Sequence, residues 1–462
     1  MRIISCLVIA AALISCQQQS HVPNILMIVV DDLGYSDLSC YGNTLVETPV
    51  IDRMASEGIR FAQAYASCPV CSPTRAAILT GKNPTALNLT DWIPGHQANH
   101  GPSPTEKFIV APFNQHLPLE EITIAELLGE AGYTTASIGK WHLGGDGYLP
   151  TDQGFDLNIA GHQKGSPPSY YYPYVSHNRP NGIPHLDLKG DSLYLTDRLT
   201  NEAIGFIRTR KEEPFFLYLP YYNVHTPLQG RPDLVRKYEA ILADHRNDSI
   251  LRNAEFLAMT EAVDDNIGRI MQCLEEEDLD MNTLVIFTSD NGMPNKNAAT
   301  NAGSRVPMLI DCPGVVRTRG ITDELVSLAD ILPTLVDFSG GRLPDGYEVD
   351  GLSLKPFLTG RSDTHRDFLF NYLATARIVR TKDWMLEAVD QVYDSPEGRL
   401  YDCRAEANHG IEVSGSKDPE VLEARKLLEG IMSSYPPVDT SLQSVKDILP
   451  EYDVYLYRHR LE

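Results

Sequence analysis

Nearly continuous apolar segments recur along the first 340 residues and alternate with amphipathic ones. The clearest is 24–30, in which every residue after the asparagine is apolar. An uninterrupted apolar run of this length is typical of a parallel strand buried on both faces. We predict further strands at 133–138, 215–219 and 283–288.

The amphipathic segments between these strands predict helices that end at glycine or at charged residues. Ser72 is a suitable N-cap for one of them, with Pro73 at the first helical position and Gly81 after its end. Helices are also predicted at 49–58, 123–132, 194–208 and 254–276. Strands that alternate with helices predict an α/β fold with a doubly wound, mixed and mostly parallel sheet.

The pattern changes after Leu358, where short strand-like segments follow one another without helices between them. A final helix at 419–432 has Asp418 as its expected N-cap. We therefore predict a smaller C-terminal subdomain with an antiparallel sheet and one helix. Its strands are expected at 368–373, 376–381, 384–389 and 399–401. The predicted division is a signal peptide at 1–16, a main domain at 17–360 and the subdomain at 361–462.

The N-terminal residues have the pattern of an export signal. Arg2 precedes a mostly apolar run at 3–14, which is too short to span a bilayer. The residues at 13–16 resemble a bacterial lipobox, in which Cys16 would be lipidated and become the mature N-terminus. A plain cleaved signal is the alternative. The protein is expected in the periplasm or on the cell surface, attached to the outer membrane only through the lipid, or else secreted.

Composition and charge restrict the classes of partner. The chain has 462 residues, of which 42% are hydrophobic and 22% charged, as in soluble globular proteins. Its formal net charge of −23 argues against nucleic acid or an anionic membrane as the main partner. An anionic substrate would therefore need a local basic pocket. Cys68 and Cys71 are not followed by a second Cys/His pair at metal spacing, which argues against a zinc site.

Acidic and amide side chains follow two of the predicted buried strands. Asp31 and Asp32 come directly after the first strand, and Asp290 and Asn291 follow the strand at 283–288. Each pair alone could consist of solvated loop residues. Open α/β sheets bind ligands at the carboxyl ends of their strands, and an oxygen-rich set suits Ca²⁺ or Mg²⁺ rather than Zn²⁺.

Cationic and titratable side chains follow other strand ends. Lys140, His142 and His225 suit binding of an anion and proton transfer. Cys71 lies at a predicted helix N-terminus, with Arg75 one turn further, where a tetrahedral oxyanion would be stabilised. A buried cysteine before a short helix is the alternative, and this segment alone leaves both interpretations open.

Together these segments resemble a known family. The sequence CSPTRAAILTG at 71–81 resembles the signature of the type I, formylglycine-dependent sulfatases of the alkaline phosphatase superfamily. The resemblance covers nearly the whole mature chain. It continues through DDLG at 31–34, GKWHLG at 139–144, HTP at 225–227, SDNG at 289–292 and RVP at 305–307, and reaches the strands around 377–384 and 400–402.

The resemblance implies a sulfatase that acts through a modified cysteine. A formylglycine-generating or radical maturation enzyme would oxidise Cys71 to formylglycine, whose hydrate attacks sulfur and forms a covalent sulfo-enzyme. Arg75 and Lys140 would stabilise the sulfate charge, His225 would assist departure of the alcohol, and His142 would help to release sulfate. One Ca²⁺ is expected to be bound by Asp31, Asp32, Asp290, Asn291 and the modified Cys71.

Two departures from the family pattern occur in this chain. Thr74 stands where serine is commonest, although a hydroxyl is retained. The segment after Asn291 lacks the usual glycine- and lysine-containing pieces. Because Lys296 is the only lysine between Asn291 and Arg305, we assign it as the sulfate-binding lysine.

The expected substrate is a sulfated carbohydrate, from an algal polysaccharide or a glycosaminoglycan. The segment 161–185 is rich in Pro, Gly, Tyr and His, and it is expected to form an ordered loop that lines the sugar subsite or merely packs. Candidate sugar-binding residues are His162, Lys164 and His177, with Asp91 and Trp92 at a pocket rim. The alternative functions are a phosphodiester or phosphonate monoester hydrolase of the same superfamily and an inactive glycan-binding lipoprotein.

Overall fold

The structure is a computed structural model, and its described residues are 22–94, 113–188, 193–245, 253–292, 296, 301–373, 376–389, 398–404 and 410–435. The export signal predicted at 1–16, including Cys16, lies outside these residues. Among the residues described, none of the helices combines the length and the apolar character that crossing a bilayer requires.

An eight-stranded mixed sheet forms the centre of the larger part. Its strands are β1 (Asn24–Val30), β2 (Ile59–Tyr65), β3 (Thr134–Ile138), β4 (Leu157–Ile159), β5 (Phe215–Pro220), β6 (Thr283–Ser289), β7 (Arg305–Asp311) and β8 (Gly320–Ser327). Across the sheet they lie in the order β4-β3-β5-β1-β6-β7-β2-β8. β7 is antiparallel to its neighbours β6 and β2, and the other neighbouring pairs are parallel.

The central strand β1 is buried on both faces, as its apolar pattern predicts. Successive side chains of a strand point to opposite faces, so β1 contributes to two separate cores. Leu26, Ile28 and Val30 join one core, and Ile25, Met27 and Val29 join the other. Complete burial of each such side chain stabilises the fold by roughly 1.5–3 kcal/mol.

Helices cover both faces of this sheet, which confirms the doubly wound prediction. They are α1 (Pro49–Glu57), α2 (Cys71–Thr80), α3 (Ile124–Glu130), α4 (Leu195–Arg210), α5 (Pro232–Asp244), α6 (Ala254–Glu276), α7 (Asn301–Ser304), α8 (Ile331–Ser339) and α9 (Lys355–Leu358). Side chains of α1, α4 and α6 pack into the first core, and those of α2, α3 and α8 pack into the second.

The C-terminal part has its own antiparallel sheet, as the sequence predicts. Its strands are β9 (Leu369–Leu373), β10 (Ala376–Arg380), β11 (Trp384–Val389), β12 (Arg399–Asp402) and β13 (Ile411–Glu412), in the order β13-β12-β11-β10-β9. The sequence does not predict the two-residue strand β13. The helix α10 (Pro419–Ser434) begins after Asp418, whose Oδ1 accepts the Glu420 N–H at 2.9 Å.

Contacts between the two parts lie at the β2/β8 end of the large sheet. Tyr65, Leu325 and Leu369 form a small buried cluster there. Nearby, the buried Asp330 binds Nε2 of His365 at 2.9 Å and Nε of Arg366 at 3.1 Å. The domain boundary predicted at residue 360 lies between α9 and β9 and stays a prediction.

Candidate active site

The predicted site residues lie at one edge of the large sheet. The strands β3, β5, β1 and β6 are parallel neighbours, so their carboxyl ends meet at this edge. This places Lys140 and His142, His225, Asp31 and Asp32, and Asp290 and Asn291 in adjacent turns. The turn after β3 requires Gly139, which has φ 129° and whose added Cβ would lie 2.0 Å from the Pro220 carbonyl oxygen.

The helix α2 brings Cys71 to the same edge, but it begins two residues earlier than the sequence predicts. The expectation that Ser72 caps this helix is wrong, because Val70 is the N-cap residue and makes no side-chain cap bond. The Ser72 hydroxyl instead accepts the N–H of Ile93 at 3.1 Å. Cys71 is therefore the first residue of α2, and the helix ends as predicted at Gly81, with φ 69°.

Four ligand groups of the predicted metal site converge around Cys71. Ligand atoms of Asp31, Asp32, Cys71 and Asp290 all lie within 4.8 Å of one another, and all four residues are buried. Sγ of Cys71 is 3.5 Å from Oδ1 of Asp31 and 3.5 Å from Oδ1 of Asn291. These three carboxylates and one amide oxygen form the donor set that a hard divalent cation prefers.

Three side-chain cations surround these carboxylates. Nε of Arg75 donates to Oδ2 of Asp290 at 2.9 Å, and Nζ of Lys140 donates to Oδ2 of Asp31 at 2.6 Å. Both pairs have fully buried side chains. In a buried pair of this kind, loss of one partner typically costs about 3–5 kcal/mol because the other charge is left uncompensated.

Lys296 is the third cation, and the sequence predicts it from its position alone. Its Nζ lies 2.5 Å from Oδ1 of Asp32 and 3.4 Å from Sγ of Cys71. Burial opposes the charged form, yet Cys71 and Asp32 hold the pKa of Lys296 above its ordinary value. The structure therefore brings Lys296 to the centre of the site.

The three carboxyl groups respond differently to burial and to these cations. Burial raises the pKa of Asp31 above its ordinary value, although Lys140 opposes the shift. At Asp32, burial is outweighed by Lys296, His225 and Lys140 together, which lower the pKa. At Asp290, Arg75 and the two lysines together outweigh burial and lower the pKa. A divalent cation bound by these oxygens would favour the ionised form of Asp31 against its burial, so the residues present fit a metal ion.

The encoded thiol is not activated in this environment. Burial, and then the charge of Asp290, raise the pKa of Cys71 to about 12. Because the thiolate is the nucleophilic form of cysteine, an unmodified Cys71 would remain protonated and unreactive at neutral pH.

The two catalytic candidates His142 and His225 have different surroundings. Nε2 of His142 contacts the Ile93 carbonyl oxygen at 2.5 Å, so it must carry the proton and donate. Nδ1 of the same ring then holds a lone pair and has no partner among the described residues. Burial and Lys140 hold the pKa of His142 well below its ordinary value, which keeps it a neutral proton acceptor.

His225 is only partly buried, and its Nε2 lies 3.8 Å from Oδ2 of Asp32. Its Nδ1 is 2.9 Å from the Thr226 carbonyl oxygen. That carbonyl accepts the Nδ1 proton, so Nε2 faces the carboxylate cluster. The hydroxyl of Tyr170 donates to the His225 carbonyl oxygen at 2.9 Å and ties the long loop to this turn.

The proposed sugar-binding residues have diverse positions. Asp91 is buried and Trp92 half-buried, next to the Ile93 carbonyl that His142 contacts. His162 and Lys164 line a cavity beside the site, whereas His177 is exposed and is not part of that lining.

Ser289 has a positioning role that sequence reasoning missed. Its hydroxyl accepts the Leu33 N–H at 3.1 Å and donates to the Asn291 carbonyl oxygen at 3.2 Å. It thereby joins the turn after β1 to the turn after β6, which are more than 250 residues apart in the chain. The sequence places Ser289 in the SDNG segment after the predicted strand 283–288. It gives no sign of the hydrogen bond to Leu33, which depends on the neighbouring strand.

Comparisons with known proteins agree with this geometry. The family model described as Sulfatase matches residues 23–341. The chain is 32% identical over 399 residues to the N-acetylgalactosamine-6-sulfatase of Canis lupus familiaris, covering 79% of this chain and 71% of that protein. It is 29% identical over 453 residues to the steryl-sulfatase of Homo sapiens, covering 77% and 73%.

A solved structure has the same overall arrangement. It is that of Ps i-CgsB in complex with k-i-k-neocarrahexaose, with a TM-score of 0.71 and 25% identity, covering 94% of this chain and 99% of that one. The family match, the relatives and the fold together show that this chain is a sulfuric ester hydrolase and belongs to the sulfatase family.

Proposed function

We propose that the protein hydrolyses sulfate monoesters of a carbohydrate through a formylglycine formed from Cys71. The observation that carries the proposal is the placement of this cysteine. It is buried at the start of α2 among three carboxylates and three cations, with its thiol pKa raised to about 12. A thiol held in this state suits a precursor of the nucleophile better than a nucleophile.

Maturation would replace the CH₂SH group of Cys71 by an aldehyde. With one water added, the group loses H₂S, two protons and two electrons. The maturation enzyme passes the two electrons to an electron acceptor. Addition of a second water converts the aldehyde into a geminal diol. A serine would lack the second hydroxyl that later expels sulfate.

The proposed reaction then uses residues of this chain for each charge and proton. One diol oxygen, which loses its proton to solvent, attacks sulfur. The S–O bond to the sugar breaks while protonated His225 gives its proton to the departing alcohol. Arg75, Lys140 and Lys296 compensate the charge on the sulfate oxygens. His142, neutral and with a free Nδ1 lone pair, accepts the proton of the second hydroxyl as sulfate leaves and the aldehyde re-forms.

We propose Ca²⁺ as the cofactor, held by Asp31, Asp32, Asp290, Asn291 and the modified Cys71. Bound there, it would act as a Lewis acid that lowers the pKa of the attacking hydroxyl. The set of oxygen donors supports a divalent ion. The three carboxylates and the three side-chain cations sum to zero. A dication gives the site a net charge of +2 before the anionic ester binds.

The sugar substrate is proposed from the relatives. One acts by name on N-acetylgalactosamine 6-sulfate, and one solved structure contains a carrageenan-type hexasaccharide. A screen of defined sulfated mono- and oligosaccharides, with a steryl sulfate alongside and sulfate release as readout, tests this substrate class. Turnover of the steryl sulfate without turnover of any sugar would overturn it.

The formylglycine step has a direct test with a matched control. After co-expression with a maturation enzyme, mass spectrometry of the peptide containing Cys71 should show the mass change from CH₂SH to CHO. Cys71→Ala should reduce turnover by at least about 10⁴-fold. Cys68→Ala, which changes another buried cysteine three residues away, should retain both modification and turnover. Full activity in unmodified protein would refute the mechanism.

Export and lipidation are also proposed, from the segment that ends at Cys16. Labelling with a fatty-acid analogue in a bacterial host should give a labelled, membrane-associated wild type. Cys16→Ser should give an unlabelled protein. An unlabelled wild type released into the soluble fraction would favour a plain cleaved signal.

A further inference from the structure

A basic cavity lies beside the candidate active site and is not needed for the sulfate chemistry. Its volume is about 470 Å³, and it lies between the turn at 145–149 and the loop segments at 162–164 and 178–185. The titratable side chains in its lining are His162, Lys164, Arg179, His185 and Asp146. Four of these five can carry positive charge, in a chain with a net charge of −23.

His162 presents a hydrogen-bond donor without an acceptor. Its Nδ1 accepts the Lys164 backbone N–H at 2.9 Å, so the proton of the neutral ring is on Nε2. Nε2 is buried and has no partner among the described residues, and the residue is only 5% exposed. A buried N–H group needs an oxygen acceptor, and a ligand in this cavity can provide one.

The cations around His162 are not neutralised by acidic side chains of the described chain. Arg179 donates to the Ser166 and Pro167 carbonyl oxygens at 2.5 and 2.7 Å, and these acceptors leave its positive charge uncompensated. Lys164 is exposed and forms no ion pair with another described residue, and Asp146 is exposed at the rim. Burial and then the charges of Arg179, His185 and Lys164 lower the pKa of His162 to about 4, which shows how closely these groups gather.

The cavity adjoins the catalytic histidine through one short segment. The His162 carbonyl oxygen accepts a hydrogen bond from the backbone N–H of His142 at 3.0 Å. Three residues later, a Cβ on Gly165 would lie 2.4 Å from Cε1 of His142. The segment 162–165 therefore contacts the catalytic histidine with one side and lines the basic cavity with the other.

We propose that this cavity binds a second anionic group, a sulfate or a carboxylate, on a sugar next to the one that is desulfated. The inference rests on the proposed sulfatase function and narrows the substrate to polyanionic saccharides. The Nε2–H of His162 and the cations Lys164 and Arg179 bind the anion. Charge-assisted hydrogen bonds of this kind are about twice as strong as neutral ones.

Binding to the full-length Cys71→Ala protein, which cannot turn over substrate, tests the proposal. The probes are size-matched hexasaccharides: ι-carrageenan with sulfates only, hyaluronan with carboxylates only, and agarose with neither. We expect a charged probe to bind at least about tenfold more tightly than agarose. Preference for ι-carrageenan identifies sulfate as the second group, and preference for hyaluronan identifies carboxylate.

Variants in the same background localise the binding. Lys164→Ala, whose side chain makes no bond with other described residues, and His162→Phe should each weaken the charged complex about tenfold. The exposed Lys417→Ala removes the same charge far along the chain and should have no effect. Equal affinity for charged and neutral probes, or unchanged affinity in both cavity variants, would overturn the proposal.

Hydrolysis of 4-nitrophenyl sulfate by the matured enzyme tests the proposed sulfatase function independently of the basic cavity. This ester has no second anionic group. Turnover of it together with unselective oligosaccharide binding refutes the cavity proposal alone. Absence of all sulfate-ester turnover refutes the proposed function, whatever the binding data show.

Discussion

The hydroxyl of Thr74 offers a sharp test of how the cysteine segment is held. Thr74 is fully buried, and its Oγ1 donates to the Cys68 carbonyl oxygen at 2.6 Å and accepts the Cys68 N–H at 3.3 Å. The hydroxyl thus satisfies both backbone groups of Cys68, just before α2. Thr74→Val keeps the shape of the side chain and removes both hydrogen bonds.

The magnitude follows from the two buried backbone groups that would lose their partner. Each unsatisfied group costs about 1–3 kcal/mol, so Thr74→Val should lower the free energy of unfolding by about 3 kcal/mol. Unfolding entropy near 2.1 cal/mol/K per residue gives about 1 kcal/mol/K for a chain of this length. The Tm should therefore fall by about 3 °C.

Differential scanning fluorimetry at one fixed scan rate measures this shift, with Thr74→Ser as the matched control. Serine keeps the hydroxyl and loses one buried methyl group, so its Tm should fall by only about 1 °C, in line with a cost of roughly 1 kcal/mol. A valine variant as stable as the serine variant would show that the hydroxyl is not what holds the segment.

Three further predictions concern the metal, a buried histidine and the C-terminal subdomain. Removal of Ca²⁺ by a chelator should abolish turnover and lower Tm by about 3–4 °C, which corresponds to the stabilisation by a ligand present at about 100–1,000 times its Kd. Added Ca²⁺ should restore both turnover and Tm. Full turnover in metal-free protein would contradict Ca²⁺ as the cofactor. The folded-state pKa of His162 is about 4 against 6.5 ordinarily, so the unfolded chain takes up its proton first as pH falls. The free energy of unfolding should therefore drop by up to about 3 kcal/mol between pH 6.5 and 4. In Tm measurements across this range, the Tm of His162→Phe should fall less steeply than that of the wild type. An identical fall in both proteins would contradict the lowered pKa of His162. Leu428→Ala empties a fully buried position in the core between α10 and its sheet, and it should lower Tm by about 2–5 °C. Leu422→Ala, at a half-exposed position of the same helix, is the control. A smaller fall in Tm for Leu428→Ala than for Leu422→Ala would place that core elsewhere.

The sequence predicts much of the fold because the patterns involved are local. The run at 24–30 is apolar at every position after the first residue, and it is buried on both faces as β1. The helix predicted at 254–276 has the same bounds in the structure. The error at Ser72 has a tertiary cause, since the Ile93 N–H, 21 residues away, takes the hydroxyl that would have capped α2.

By itself, the sequence determined which polar residues emerge at one edge of the sheet. Polar groups that directly follow buried parallel strands must emerge at one edge of the sheet, whatever the strand order. The pattern of buried strands therefore identifies Asp31, Lys140 and Asp290 without reference to their contacts. The fold class and the family followed from the same strand ends and from the motif at Cys71.

Only the tertiary structure decided how these groups act on one another. The order β3-β5-β1-β6 brings Lys140 within 2.6 Å of Asp31, across 109 residues of chain. Burial then sets the protonation of the Cys71 thiol, and hydrogen bonds set the tautomers of His142 and His162. Desolvation and pairwise charge depend on distances between strands, and these distances exist only after the sheet has assembled.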